Sequence, residues 1–492
     1  MNAVAPSSAS SVGDPVALLT GGRVRGTLRD GVRRFLDVPY AAAPTGPWRF
    51  ERPLPHPGWT GVRDATSAGP TAPQPPRSRF GDLDLGPFFD PGWVEGDEYL
   101  TVNVWAPAAP ARGAPVLVFV HGGAFIAGSN RAPAYDGTAF ARSGVVVVDV
   151  NYRLGVPGFL QVPGAPDNRG CLDVVEALRW VRANAEVLGG DPDRVTLAGQ
   201  SAGAVVVATV LASGKARDLV AGAVMQSGSG DVAFAPEQAE RVTSAVAARL
   251  GVRASAQAFA KASDASLVQA LADVAPLDLG TARRTHPIGG IVLVGPILGQ
   301  PPSRSVAAGE GRPVARLLIG TNADEAGLYL AQEPVVESDA ALLAAVARYG
   351  VAPAEAVARH RAADPSATPE RLRLRIAGDA MFGEGTRHFA DVCAQAGVDT
   401  FSYEFTWRSD ALDGRLGSCH LMELPFVFGN TRLPALHGSN ALLGRTPAPP
   451  GLVASIHQSW VRFVASGDPG WEPNGPGAPA ITRLDMDSTV AD

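Results

Sequence analysis

Short runs of β-branched residues alternate, along the first half of the chain, with stretches whose apolar positions recur every three or four residues. VLVFVH (116–121) and VVVVDV (145–150) are apolar on both alternating faces, which predicts strands covered on both sides, as in a parallel sheet. Between Asn168 and Gly189 the positions Leu172, Val175, Leu178, Val181, Ala185 and Leu188 trace one helical face, and Gly189 and Gly190 stop it. RVTLA (194–198) reads as the next strand, and AGAVVVATVLAS, directly after Ser201, as a helix buried nearly all round. This succession builds βαβ units, hence an α/β fold with a mainly parallel central sheet and helices on both faces. RLLIG (316–320) and TFSYEF (401–406) continue the strand pattern, and neither a linker nor an internal repeat divides the chain. The expectation is a disordered N-terminus at 1–15 and a single domain over 16–492, enlarged by insertions. Within it, the proline-rich stretch 72–99 reads as a mobile lid or rim loop.

Composition excludes several classes of partner. A chain of 492 residues, 46% hydrophobic and only 18% charged, can bury a large core. The formal net charge of −6 comes without a basic patch that would track a nucleic acid backbone. No run approaches the roughly 18 apolar residues of a membrane span, so neither nucleic acid nor membrane is an expected partner. MNAVAPSSASSVGDP lacks the positive leader and apolar stretch of a secretory signal, and a cytoplasmic protein, monomer or weak homo-oligomer, is expected. Cys171, Cys393 and Cys419 have no CxxC spacing and read as small buried hydrophobes, with no metal site and no disulfide framework.

The candidate chemistry begins at LAGQSAGA (197–204). Ser201 falls at a strand-to-helix junction between Gly199 and Gly203, where bulk would clash with the adjoining strand or helix. With Gln200 these residues form a nucleophile elbow, although the pattern alone is common in a chain with 56 glycines. A serine hydroxyl needs a base, a group that orients the base, and donors for the developing oxyanion. HGGAF (121–125) follows the strand VLVFV and turns backbone N–H groups toward a cleft, which makes Gly123 and Ala124, with Ala202, the oxyanion donors. His121 itself reads as a structural hydrogen bonder. In the elbow architecture the base follows the nucleophile and the acid along the chain, leaving His286, His360, His388, His420, His437 and His457. His420, in the small-residue loop GSCHLMELPFVFG, is preferred, and His437 in ALHGSN is the best decoy. For the acid, Asp324 and Glu325 share a turn just after the strand RLLIG, and composition does not choose between them.

GGDPDRVTLAGQSAGA, HGGAF, NYRLGVPGF (151–159), MQSGS (225–229), GTNADEAG (320–327) and HLMELPFVFG (420–429), in this order, resemble the type-B carboxylesterase family of the α/β-hydrolase fold. The resemblance runs from VPYAAAPTGPWRF (38–50) to WVRFVASGDPGW (460–471). It implies that Glu325 is the triad acid with Asp324 its neighbour, that His420 is the base, and that Arg153 and Asp173 form a structural ion pair. Three departures stand out. Gln200 replaces the family's usual glutamate, which should weaken any preference for cationic alcohols. Ala326 replaces a glycine after the acid. Ala72 and Tyr99 occupy the positions of the family's N-terminal disulfide, as a reducing compartment allows.

These readings converge on a serine carboxylesterase that cleaves neutral, partly hydrophobic small-molecule esters through an acyl-enzyme on Ser201, without metal or cofactor. Phe125, beside the oxyanion turn, and the PFF at 87–89 are candidate pocket residues. The alternatives are a hydrolase of carbamates, amides or thioesters on the same triad, and a catalytically silent binding protein on the same scaffold.

Overall fold

The computed structural model describes residues 14–108, 113–280, 290–311, 314–475 and 480–485. Its centre is a ten-stranded sheet: β1 (Thr27–Arg29), β2 (Val32–Pro39), β3 (Thr101–Pro107), β4 (Ala114–Val120), β5 (Val146–Val150), β6 (Gly190–Gln200), β7 (Gly222–Gln226), β8 (Arg316–Asn322), β9 (Asp399–Phe405) and β10 (Ile481–Leu484). Their order across the sheet is β10-β9-β8-β7-β6-β4-β5-β3-β2-β1. The strands from β10 through to β5 pair in parallel, and β3, β2 and β1 close the other edge antiparallel. A separate three-stranded sheet of Val16–Leu19, Gly22–Arg25 and Val62–Asp64 lies at the N-terminal end.

The period-two pattern explains why the sheet is covered twice. Along β4, Val116, Val118 and Val120 face one apolar cluster, shared with the helix Arg169–Leu188, while Leu117 and Phe119 face a second, shared with Trp460 of the helix Pro450–Ser466. Each buried valine contributes ~1.5–3 kcal/mol of transfer free energy, so this register is strongly specified. The helix expected from Asn168 to Gly189 spans Arg169–Leu188, and Gly189 closes it with φ 93°. Gly190, expected as part of the stop, is already the first residue of β6. Leu172 is only half-buried, whereas Val175, Leu178, Val181, Ala185 and Leu188 are buried. After Ser201 the helix Ala202–Ala212 is buried from Ala202 to Leu211, as its all-apolar sequence requires.

Between β8 and β9 the chain inserts the helices Asp339–Val346, Pro353–Ala363, Pro369–Gly378 and Glu384–Gln395. The insertion has a small apolar cluster of its own around Leu342, Val346, Leu372 and Ile376. The stretch 72–99 contains local structure where the sequence reads as irregular: a hairpin of Arg79–Phe80 with Leu83–Asp84, and a helical turn at Gly86–Phe89. With alanine and tyrosine at 72 and 99, noncovalent ties hold it. Gln74 exchanges two hydrogen bonds with Gly128, the Thr71 hydroxyl donates to Gly92 O, and Asp84 N–H donates to Asn440 O. Of the N-terminal segment 1–15, residues 1–13 lie outside the described residues; Pro15 O accepts from Gly26 N–H. No single helix among the described residues is long and apolar enough to cross a membrane.

Candidate active site

Because β4, β6, β7 and β8 run parallel, the residues after their C-terminal ends gather on one edge of the sheet. Ser201 follows β6 directly, with φ 55° and ψ −122°, a backbone conformation that costs about 1–3 kcal/mol for a residue with a side chain. Its surroundings hold it there: Ser201 N–H donates to Gln226 O, and Ser201 O accepts from Val205 N–H. A Cβ on Gly203 would lie 2.0 Å from Val120 O, and one on Gly199 would lie 2.5 Å from the Gly203 backbone. The two glycines therefore let strand, serine and helix approach closely.

The turn HGGAF leaves β4 with positive φ at Gly123 (116°), Ala124 (56°) and Phe125 (63°). Among the described residues, the N–H groups of Gly123, Ala124 and Ala202 donate to no backbone carbonyl. His121 is packed away from the chemistry, stacked on Tyr152 at 4.6 Å and bonded through Nδ1 to Gly122 O. Burial pushes its imidazole down to about 4.

The structure separates the two candidate carboxylates. Glu325 Oε2 lies 2.6 Å from Nδ1 of His420, with both side chains 2% exposed. Its other oxygen accepts from Asn322 N–H. Asp324 instead anchors the loop that carries the histidine, accepting from Ser418 N–H and pairing with Arg408. Ala326, in place of glycine, has an ordinary helical φ of −70°. His420 and Ser201 line one cleft, and the other described histidines lie elsewhere. His360 faces Asp379 and His388 faces Asp231, while His437 bonds Thr431 O and His457 bonds Val427 O. His286 lies outside the described residues.

Several participants have no local sequence signature. Phe382 stacks on the His420 ring at 4.5 Å, and Tyr329 stacks on Phe382. With Nδ1–H given to Glu325, Nε2 of His420 carries the lone pair, and the Gln200 amide donates to it at 3.2 Å. No hydrogen bond links His420 to Ser201 directly among the described residues. Behind Glu325, the buried carboxyl of Glu423 accepts from Asn322 Nδ2 at 2.6 Å and from Gln226 Nε2 at 3.1 Å. Burial, followed by the charge of Glu325, pushes Glu423 up to about 7. The motifs MQSGS and HLMELPFVFG contain Gln226 and Glu423, but nothing local marks them as neighbours of Glu325.

The cleft at Ser201 is narrow, about 40 Å³, and is lined by Phe80, Leu85, Phe89, Phe125, Val292 and Leu328 among others. Phe125 and Phe89 thus reach it, whereas Phe88 packs into the core against Tyr135. A larger apolar cavity of about 160 Å³ adjoins it, sharing Ala124, Ile291 and Val292 and extending to Val156, Leu267 and Leu271. Arg153 and Asp173 form a fully buried pair at 2.6 Å, and Arg153 also donates to Arg49 O and Glu51 O, so the pair ties distant segments together. All three cysteines are free and buried, and burial pushes their thiols up.

A serine held at a strand-to-helix elbow, on the carboxyl edge of a sheet wrapped by helices, defines an α/β-hydrolase. Residues 13–483 match the family model described as the Carboxylesterase family. The chain is 35% identical to the phenmedipham hydrolase of Pseudarthrobacter oxydans over 462 residues, covering 92% of this chain and 90% of that protein. It is 33% identical over 489 residues to the para-nitrobenzyl esterase of Bacillus subtilis (strain 168), covering 95% and 94%. A solved PNB esterase structure superposes with a TM-score of 0.80 at 30% identity over 96% of both chains. The chain belongs to the carboxylesterase family and is a carboxylic-ester hydrolase.

Proposed function

We propose that Ser201, His420 and Glu325 form the hydrolytic triad. The observation that carries this reading is the buried 2.6 Å contact between Glu325 and His420 in the cleft that also contains Ser201. Glu325 fixes the imidazole tautomer so that Nε2 is the proton acceptor. On substrate binding, Nε2 exchanges the Gln200 amide for the Ser201 hydroxyl and takes its proton as Oγ attacks the ester carbonyl. The N–H groups of Gly123, Ala124 and Ala202 receive the oxyanion. The imidazolium, opposite the Glu325 carboxylate, then protonates the departing alcohol. Water repeats the sequence on the acyl-enzyme and releases the acid.

The apolar lining supports partly hydrophobic carboxylic esters of modest size, and the segment 72–99, which supplies Phe80, Leu85 and Phe89, is the rim of the cleft. Three free cysteines fit a reducing, cytoplasmic compartment. Turnover of 4-nitrophenyl butyrate by Ser201→Ala tests the reading: a fall of roughly 10⁶-fold is expected, and near-normal turnover would overturn it.

A further inference from the structure

Among the described residues that line the cleft, one bears a fixed charge, the guanidinium of Arg77. It lies 5.8 Å from the centroid of Phe89, the ring that also flanks Gly123. Arg77 shares the cleft lining with Tyr329, which stacks on Phe382, the ring stacked in turn on His420. Many arginines elsewhere in the fold have acidic partners, as Arg63 with Asp37 and Glu98, Arg153 with Asp173, and Arg408 with Asp324, and the buried Arg169 without one donates to the carbonyls of Val156, Pro157, Leu160 and Pro166. Arg77 has none among the described residues, and its side chain donates no hydrogen bond to them. Two nearby carboxylates of its own segment turn elsewhere, Asp90 to the Ser78 hydroxyl and Asp84 to Gly86 N–H. Burial lowers the guanidinium from its usual range. A half-buried cation with five donors and only an aromatic face for company is preorganised for a carboxylate.

The position of Arg77 distinguishes the two ends of an ester. The alcohol oxygen must leave toward His420, the proton donor, whose ring stacks on Phe382 and through it on Tyr329, and Arg77 lines the same cleft as these rings. The large, mostly apolar cavity, lined by Val156, Leu267 and Leu271, does not include Arg77, and its one charged lining residue among those described, Asp264, pairs with Arg49, so it suits an uncharged acyl group. We propose that Arg77 is a specificity-determining residue that binds a carboxylate on the alcohol part of the ester. This rests on Ser201 being the nucleophile of the same cleft, and it adds esters with an anionic alcohol part to the neutral esters expected from the sequence.

The test compares kcat/KM for 4-acetoxybenzoate and its uncharged methyl ester, in wild type, Arg77→Gln and Arg77→Lys. The charged-to-neutral ratio is expected to fall by ~10–100-fold in Arg77→Gln, the value of a hydrogen bond to a charged group. Arg77→Lys keeps part of it, and added salt shrinks the wild-type ratio. The change falls mainly on KM, because the anion is bound equally in ground and transition states. An unchanged ratio in Arg77→Gln, alongside normal wild-type turnover of the methyl ester, overturns the assignment and leaves the triad standing. Absence of Ser201-dependent turnover of either ester overturns both.

Discussion

The side-chain amide of Gln200 lies 3.2 Å from Nε2 of His420, so the nitrogen that the proposed triad uses as proton acceptor is already hydrogen-bonded in the resting protein. Gln200 is fully buried, which leaves this bond unweakened by water. A carboxylate at the same position would favour the imidazolium form. Gln200→Glu is therefore expected to move the acid limb of the kcat/KM profile upward by about one pH unit or more. The pH dependence of aryl ester hydrolysis measures this directly, and superimposable limbs would contradict the contact.

Glu423 makes stability depend on pH in a defined direction. Its carboxyl ordinarily ionises near 4.5 and is pushed up to about 7 in the folded protein, by burial and by Glu325. Between those values the unfolded chain has lost a proton that the folded protein retains. The contribution is thus full below about pH 4.5, falls as pH rises, and levels off above about pH 7. Glu423→Gln removes this titration, worth on the order of 3 kcal/mol across the window. Denaturant melts at several pH values are expected to show a flatter profile for the variant, and parallel profiles would count against the assignment.

The elbow tolerates no added volume. With Val120 O 2.0 Å from a Cβ on Gly203, Gly203→Ala must displace either β4 or the helix Ala202–Ala212. A loss of ~3 kcal/mol or more is expected, at the upper end of overpacking costs. Ser201→Ala adds no volume and should melt close to wild type. A Gly203→Ala variant with an unchanged melting temperature would show that the strand and helix are less tightly apposed than described.

The elements that position Ser201 are legible in the sequence because they are contiguous: β6, the flanking glycines and the apolar helix follow one another without a break. The choice between Asp324 and Glu325 is not legible from local pattern, since both share one turn. Only their partners separate them, His420 for Glu325 and Ser418 with Arg408 for Asp324. Family resemblance supplies that choice where composition does not. The hairpin within 72–99 has two-residue strands, too short to show periodicity. Arg77, Phe382 and Glu423 escape for a different reason. Arg77 and Phe382 join the site from segments of their own, and Glu423 shares the motif of His420, yet the role of each arises from which groups the fold brings against it: Phe89, His420, and Asn322 with Gln226, respectively.

Mass mapping of the peptides after reaction with a serine-directed organophosphate tests the central claim most directly, because only an activated serine is labelled. A single adduct on Ser201, formed in step with loss of esterase activity, is the expected result. Full inactivation with Ser201 unmodified, and the adduct instead on a neighbouring hydroxyl such as Ser227 or Ser229, would contradict it.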